Sequence, residues 1–316
     1  MGLLETPAAA LAWIGRQGTR AVALSVFAGL ALPWLAAAAK PAFTPSLFVL
    51  LCLAFLRVRM ADLRGHVRRP GLVLAVLAWM MIATPLAAGL ALTGLGLDAG
   101  APGLFVALML QAAAPPVISS TALAALMGLD AALSLAVLIG GAIATPFTSA
   151  VWAAVFLGSA LELSAGALGL RLLALLAGAA LVAALVRRAA GQPWVDRQTD
   201  RIDGLSVIAL FVFAVAVMDG VVAFAAARPL AVLGLIGLAF ATSLGLGAVT
   251  ALLFWRAGRA AALALAVSAG SRNLGLMIAA AGGAVPDLTW LYVAMAQFPI
   301  YLLPYLLTPV LTRFKE

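Results

Sequence analysis

Two uncharged runs, Pro70–Leu97 and Ala131–Leu161, fix the class of fold before any other feature is read. Each exceeds the roughly 20 apolar residues that a helix needs to cross a bilayer. Neither alternates apolar and polar residues with period two, which excludes a membrane β-barrel. At 66% hydrophobic and 9% charged residues, the chain is far more apolar than the roughly 45–50% of a soluble domain. The lipid bilayer is its first partner.

The formal charge of +8 does not point to nucleic acid. The basic residues fall in short loops between apolar runs, not on one polar face, so no nucleic-acid partner is expected. Cys52 lies alone in an apolar run, leaving no disulfide framework or redox pair. His66 sits among Arg64, Arg68 and Arg69 in a basic loop and reads as solvated. No metal ligand set and no cofactor site emerges.

Ten apolar helices fit the length: Ala21–Ala39, Phe43–Leu56, Gly71–Thr93, Leu104–Met127, Ala131–Leu157, Ala167–Val186, Leu205–Ala227, Leu230–Trp255, Ala261–Gly282 and Leu288–Leu311. The first follows Arg16 and Arg20 and ends in four alanines, which is also the pattern of a secretory signal cleaved after Ala39. A retained helix is preferred, because the run is long for a signal and its loss would unbalance the halves of the chain. With ten helices, the basic loop from Arg57 to Arg69 falls on one side of the membrane together with Arg187, Arg188, Arg197, Arg201, Arg256, Arg259, Arg313 and Lys315. The other side keeps Lys40, Arg171 and Arg228. This is the positive-inside pattern, with both termini cytoplasmic. The Ala, Gly and Arg richness fits a GC-rich bacterial genome, and the expected location is a bacterial inner membrane.

Five helices precede the loop at Glu162 and five follow. An odd number per half makes residues 1–161 and 162–316 enter the membrane from opposite sides, as an inverted repeat requires. In matching places the fourth helix is interrupted at Ala114-Pro115-Pro116 and the ninth between Gly270 and Gly275. Paired interruptions of this kind point to a binding site near the midplane.

Chemistry collects at those interruptions. An Arg at the bilayer centre costs about 2.5–3.5 kcal/mol on insertion scales, so Arg272 needs a purpose or a partner. Ser119, Ser120 and Thr121 follow Pro116 and are suited to cap a restarted half-helix, and Asn273 is suited to the same task in the ninth. Two half-helix N-termini brought together with Arg272 would make a small positive pocket for an organic anion. The competing view is that the hydroxyls only back-bond to their own helices. Asp219, in the seventh helix, has three readings: an ion pair with Arg272, a proton-coupling carboxylate, or a side chain that reaches the outer interface. An intramembrane enzyme would need a catalytic pair at depth, and the sequence offers none.

The loop Met60–Pro70, the passage from Pro115 through Gly128–Ser134 to Ala144-Thr145-Pro146, and the break Gly270–Leu276 resemble the bile acid:sodium symporter family. The resemblance implies an all-α membrane fold of ten helices in two inverted five-helix repeats, with helices four and nine broken and crossing. It also implies a panel domain of helices one, two, six and seven and a core domain of the other six. In sodium-coupled members a Ser-Asn pair falls on Ser119 and Ser120, a Ser and a Thr on Ser134 and Leu138, a Glu and a Gln on Ser268 and Arg272, and a further Gln near Met80. Here a carboxylate has become a hydroxyl and an amide a guanidinium, which would repel sodium. The expectation is a secondary transporter of a small organic anion that has lost sodium coupling, with Arg272 as its built-in cation; the alternatives are a sodium- or proton-coupled symporter using Asp219 and a non-transporting membrane sensor.

Overall fold

The computed structural model describes residues 18–57, 70–283 and 285–313. The basic loop with His66, the Met60–Pro70 motif and Arg16 therefore lie outside the described residues, apart from Pro70 itself. Every described element is helical: α1 Gly18–Ala31, α2 Pro33–Ala39, α3 Phe43–Arg57, α4 Pro70–Gly94, α5 Leu97–Gly100, α6 Pro102–Ala113, α7 Ser119–Leu126, α8 Ala131–Leu157, α9 Ala165–Ala190, α10 Gln192–Arg197, α11 Thr199–Val217, α12 Val221–Ala227, α13 Pro229–Leu253, α14 Arg259–Gly270, α15 Leu274–Ala281 and α16 Asp287–Arg313. Among the described residues, six helical runs are long and apolar enough to cross a membrane: Pro33–Arg57, α4, α8, α9, Thr199–Ala227 and α13. Leu90, Leu126, Ile143, Leu170 and Leu230 are exposed on their helices, a surface that would aggregate in water and is ordinary against lipid. The protein is a multi-pass membrane protein.

The chain divides into two compact units, residues 1–59 with 174–229 and residues 60–173 with 230–316. In the first, α11 packs against α1, α2 and α3. Phe43 stacks on Phe213 with ring centroids 4.9 Å apart. A second cluster joins Leu53, Leu56, Ala183, Val195 and Ile202. Beside it the Arg57–Asp203 ion pair closes at 2.7 Å, and Arg187 Nη2 donates to the Phe55 carbonyl at 3.0 Å.

Two sequence expectations are corrected in this unit. The chain breaks at Leu32, not at Lys40. Pro33 has no N–H with which to continue α1, whereas Pro41 sits in a single 3-10 turn, Lys40–Ala42, inside the continuous run Pro33–Arg57. There the Lys40 N–H bonds both Ala36 and Ala37 carbonyls, so Pro41's missing donor leaves nothing orphaned. The seventh helix starts earlier than expected, at Thr199, and breaks over Met218–Gly220, where Gly220 turns the chain at φ 78°. Asp219 lies in that break and pairs with Lys40 at 2.8 Å.

In the second unit, Val76, Met80, Met81, Leu133, Val137, Ala261, Leu265 and Ala269 form a core shared by α4, α8 and α14. α6 packs along α16, and α7 against α8 and α14. α14 also approaches α13 closely: a Cβ on Gly270 would stand 2.6 Å from the Ser243 carbonyl oxygen. That contact is with backbone, which cannot rotate away.

Two predictions follow from this packing. Gly270→Ala is expected to lower stability by about 1–3 kcal/mol in thermal or denaturant unfolding of the detergent-solubilised protein, because one helix must be displaced. Asp219→Asn is expected to cost at most about 1 kcal/mol, since Lys40 is 55% exposed and the pair is screened. A loss of several kcal/mol would show the pair to be buried and structural.

Candidate functional site

The two interruptions meet inside the second unit. Pro115 and Pro116 lack the N–H groups that would bond the Gln111 and Ala112 carbonyls, so α6 ends at Ala113. Ala114, preceding a proline, is extended at ψ 148°. The freed strand of α6 runs antiparallel to the break after α14, with Pro116 bridged to Arg272. The Val117 N–H donates to the Ser271 carbonyl at 2.9 Å and the Asn273 N–H to the Pro115 carbonyl at 2.8 Å. Each break thus supplies the backbone partners that the other lost. Gly141 lets this happen, since a Cβ there would press on the Pro116 ring at 3.1 Å.

Arg272 occupies the centre of the meeting point and is 1% exposed. Among the described residues its guanidinium donates only to backbone carbonyls: Nε to Ala269 at 3.0 Å, Nη1 to Ala114 at 2.7 Å, and both Nη1 and Nη2 to Met80 at 3.5 Å. Ala269 and Ala114 belong to the C-terminal ends of α14 and α6, where the helix dipole is negative and terminal carbonyls lack partners. Met80 is there for a different reason. α4 contains a π turn, Trp79–Ala83, in which the Thr84 N–H bonds the Trp79 carbonyl. The next residue is Pro85, which has no N–H for Met80 or Met81. Arg272 reaches the Met80 carbonyl, and Trp152 Nε1 donates to that of Met81 at 2.8 Å. The guanidinium charge is spread over two helix ends and the π turn of α4, with no carboxylate in the shell among the described residues.

Beside this lies a group of hydroxyls. Ser134 and Ser268 are fully buried, their oxygens 2.9 Å apart, and Thr121 lies 3.4 Å from Ser134. Ser268 Oγ also reaches back to the Ala264 carbonyl at 3.0 Å. Ser120 is fully buried and its hydroxyl has no hydrogen-bond partner. Ser119, one residue earlier, is exposed.

The restarted half-helices differ at their N-termini. Asn273 caps α15, accepting from the Leu276 N–H at 3.1 Å. α7 has Ile118 at its cap position and no side-chain cap; Ser119, Ser120 and Thr121 form the first turn of the helix and do not cap it. The expectation for those three is corrected accordingly. The glycines are also not hinges of unusual conformation: neither Gly270 nor Gly275 has positive φ, and Gly270 serves close packing on α13. At the far end of α15, Gly282 is left-handed at φ 64° and Arg171 Nη1 donates to the Ala281 carbonyl at 3.2 Å.

A second polar cluster was not anticipated from sequence. Gln111, Thr242 and Tyr292 join α6, α13 and α16: Gln111 Nε2 donates to Thr242 at 3.3 Å, the Tyr292 hydroxyl donates to Gln111 Oε1, and the Tyr292 and Thr242 oxygens are 3.0 Å apart. Gln111 was the available signal, as an amide in an otherwise apolar run three residues ahead of the break. The cluster anchors the end of α6 that presents Ala114 to Arg272.

The two interruptions singled out in the sequence, at Pro115-Pro116 and between Gly270 and Gly275, thus pair through their backbones. No curated protein matches the chain. The model of the Sodium Bile acid symporter family matches residues 44–228, more than half of the chain, and the protein belongs to that family.

Proposed function

We propose that this family member is a secondary carrier of a small organic anion whose fixed positive charge, Arg272, stands in for a dissociable sodium ion. The observation that carries this is the guanidinium seated on the Ala269, Ala114 and Met80 carbonyls. Sodium favours a cluster of oxygen ligands with net negative charge. Here the carbonyl ends are already held by a cation, and the neighbouring oxygens of Ser120, Thr121, Ser134 and Ser268 are neutral hydroxyls. A second cation in this shell would meet like charge with no carboxylate to offset it.

The substrate's acidic group fits best at α7. No side chain caps it, its dipole presents a positive end, and Ser120, whose N–H is held by the Val117 carbonyl, brings an unpartnered hydroxyl. The corresponding end of α15 is occupied by Asn273. In this reading residues 1–161 and 162–316 are the two inverted five-helix repeats, the first compact unit is the panel and the second the core. The basic loops face the cytoplasm of a bacterial cell, with both termini inside. Proton coupling through Asp219 has less support, because that carboxylate pairs with Lys40 in a helix break.

The test is thermal stabilisation of the purified protein against a panel of small carboxylates and sulfonates, with sodium or choline as the sole cation. A stabilising anion is expected to act equally in both salts and to bind Arg272→Gln at least about tenfold more weakly, the effect of roughly 1.4 kcal/mol of lost electrostatic support. Stabilisation that requires sodium in the wild type would return the protein to ordinary symport.

A further inference from the structure

We infer that the three carbonyls around Arg272 form a cation seat in their own right, one that will take a free guanidinium ion once the side chain is removed. The inference builds on Arg272 as the fixed charge of the proposed carrier, and it concerns the seat, not the transported anion.

Three observations support it. The carbonyls come from three separate elements, α4, α6 and α14, so their convergence is built by the fold and not by the arginine side chain. Each is orphaned for a reason independent of Arg272. Ala114 and Ala269 lie at helix ends, and Met80 precedes a Thr84 N–H already committed to Trp79 and a proline that has none. The elements are also fixed without Arg272. The break strands bond each other through Val117–Ser271 and Asn273–Pro115, the end of α6 is tied to Tyr292 and Thr242, and Met81 beside Met80 is held by Trp152. Truncating Arg272 therefore leaves a buried, convergent set of acceptors with a negative dipole end on two sides. Its shape is that of the planar fork it now holds: donors at Nε, Nη1 and Nη2 match carbonyls at 3.0, 2.7 and 3.5 Å. A small planar monovalent cation satisfies both shape and charge. Urea has the shape without the charge, and choline the charge without the donors.

The experiment measures thermal unfolding of detergent-solubilised Arg272→Ala and wild type, without added anion, in millimolar guanidinium, methylguanidinium, urea, sodium or choline chloride, well below denaturing concentrations. The expected result is a saturable rise in the Tm of Arg272→Ala of about 2–4 °C with guanidinium or methylguanidinium, and no rise in the wild type, whose seat is filled. Arg272→Gln is run in parallel, so that the test stands if the alanine variant does not purify; the same response is expected there, weakened by whichever carbonyl its amide reaches. An equal response in wild type and variants, an equal effect of urea, stabilisation by sodium alone, or no response at all would overturn the proposal. None of these outcomes bears on sodium-independent anion binding by the wild type, so the two readings fail separately.

Discussion

At the centre of the second unit one buried cation meets, among the described residues, backbone oxygen alone. A guanidinium buried to 1% exposure without a carboxylate would be prohibitive in a uniform apolar medium. It is tolerated because the fold provides acceptors that have the converse problem, carbonyls cut off from their helical donors. Ala114, Ala269 and Met80 each need a donor, and Arg272 needs acceptors. The broken helices, the π turn in α4 and the arginine are thus one balanced system, in which each irregularity removes the cost of another. This is how non-helical backbone persists at membrane depth: it is buried in protein, and its polar groups are satisfied there.

Much of the architecture could be read from residue order. The long apolar runs located the main helices to within a few residues, because length and the absence of charge are strong signals in a membrane chain. Both interruptions were visible, one through Pro115 and Pro116 and the other through Arg272 between glycines. What failed were places where one residue has two possible effects. Pro33 breaks a helix while Pro41 does not, and the difference lies in whether a neighbouring N–H, that of Lys40, can cover the abandoned carbonyl. Pro85 gave no warning of a π turn for the same reason. Proline reports which donor is missing, but not which acceptor the fold will leave uncovered.

The candidate site was legible as a list of residues and not as an arrangement. Arg272, Asn273, Ser134 and Ser268 were all identified, yet the guanidinium faces the C-terminal ends of α6 and α14, where sequence reasoning had placed it beside N-termini. Charge at a break has two ends to choose between, and a linear reading cannot decide. Gln111 was a signal as an amide in an apolar run, but Thr242 and Tyr292 are unremarkable in a membrane helix, and only the convergence of the three from α6, α13 and α16 gives them meaning.

The π turn in α4 carries a consequence for how such a site can arise over time. An arginine introduced at position 272 without an uncovered Met80 carbonyl would lack one of its acceptors, and Pro85 introduced without the arginine would leave that carbonyl bare. Either change alone produces a less stable chain, so the two are expected to have been acquired together or in an order cushioned by a third group able to fill the gap. Position 85, some 190 residues away along the chain, is therefore where the history of Arg272 should be sought.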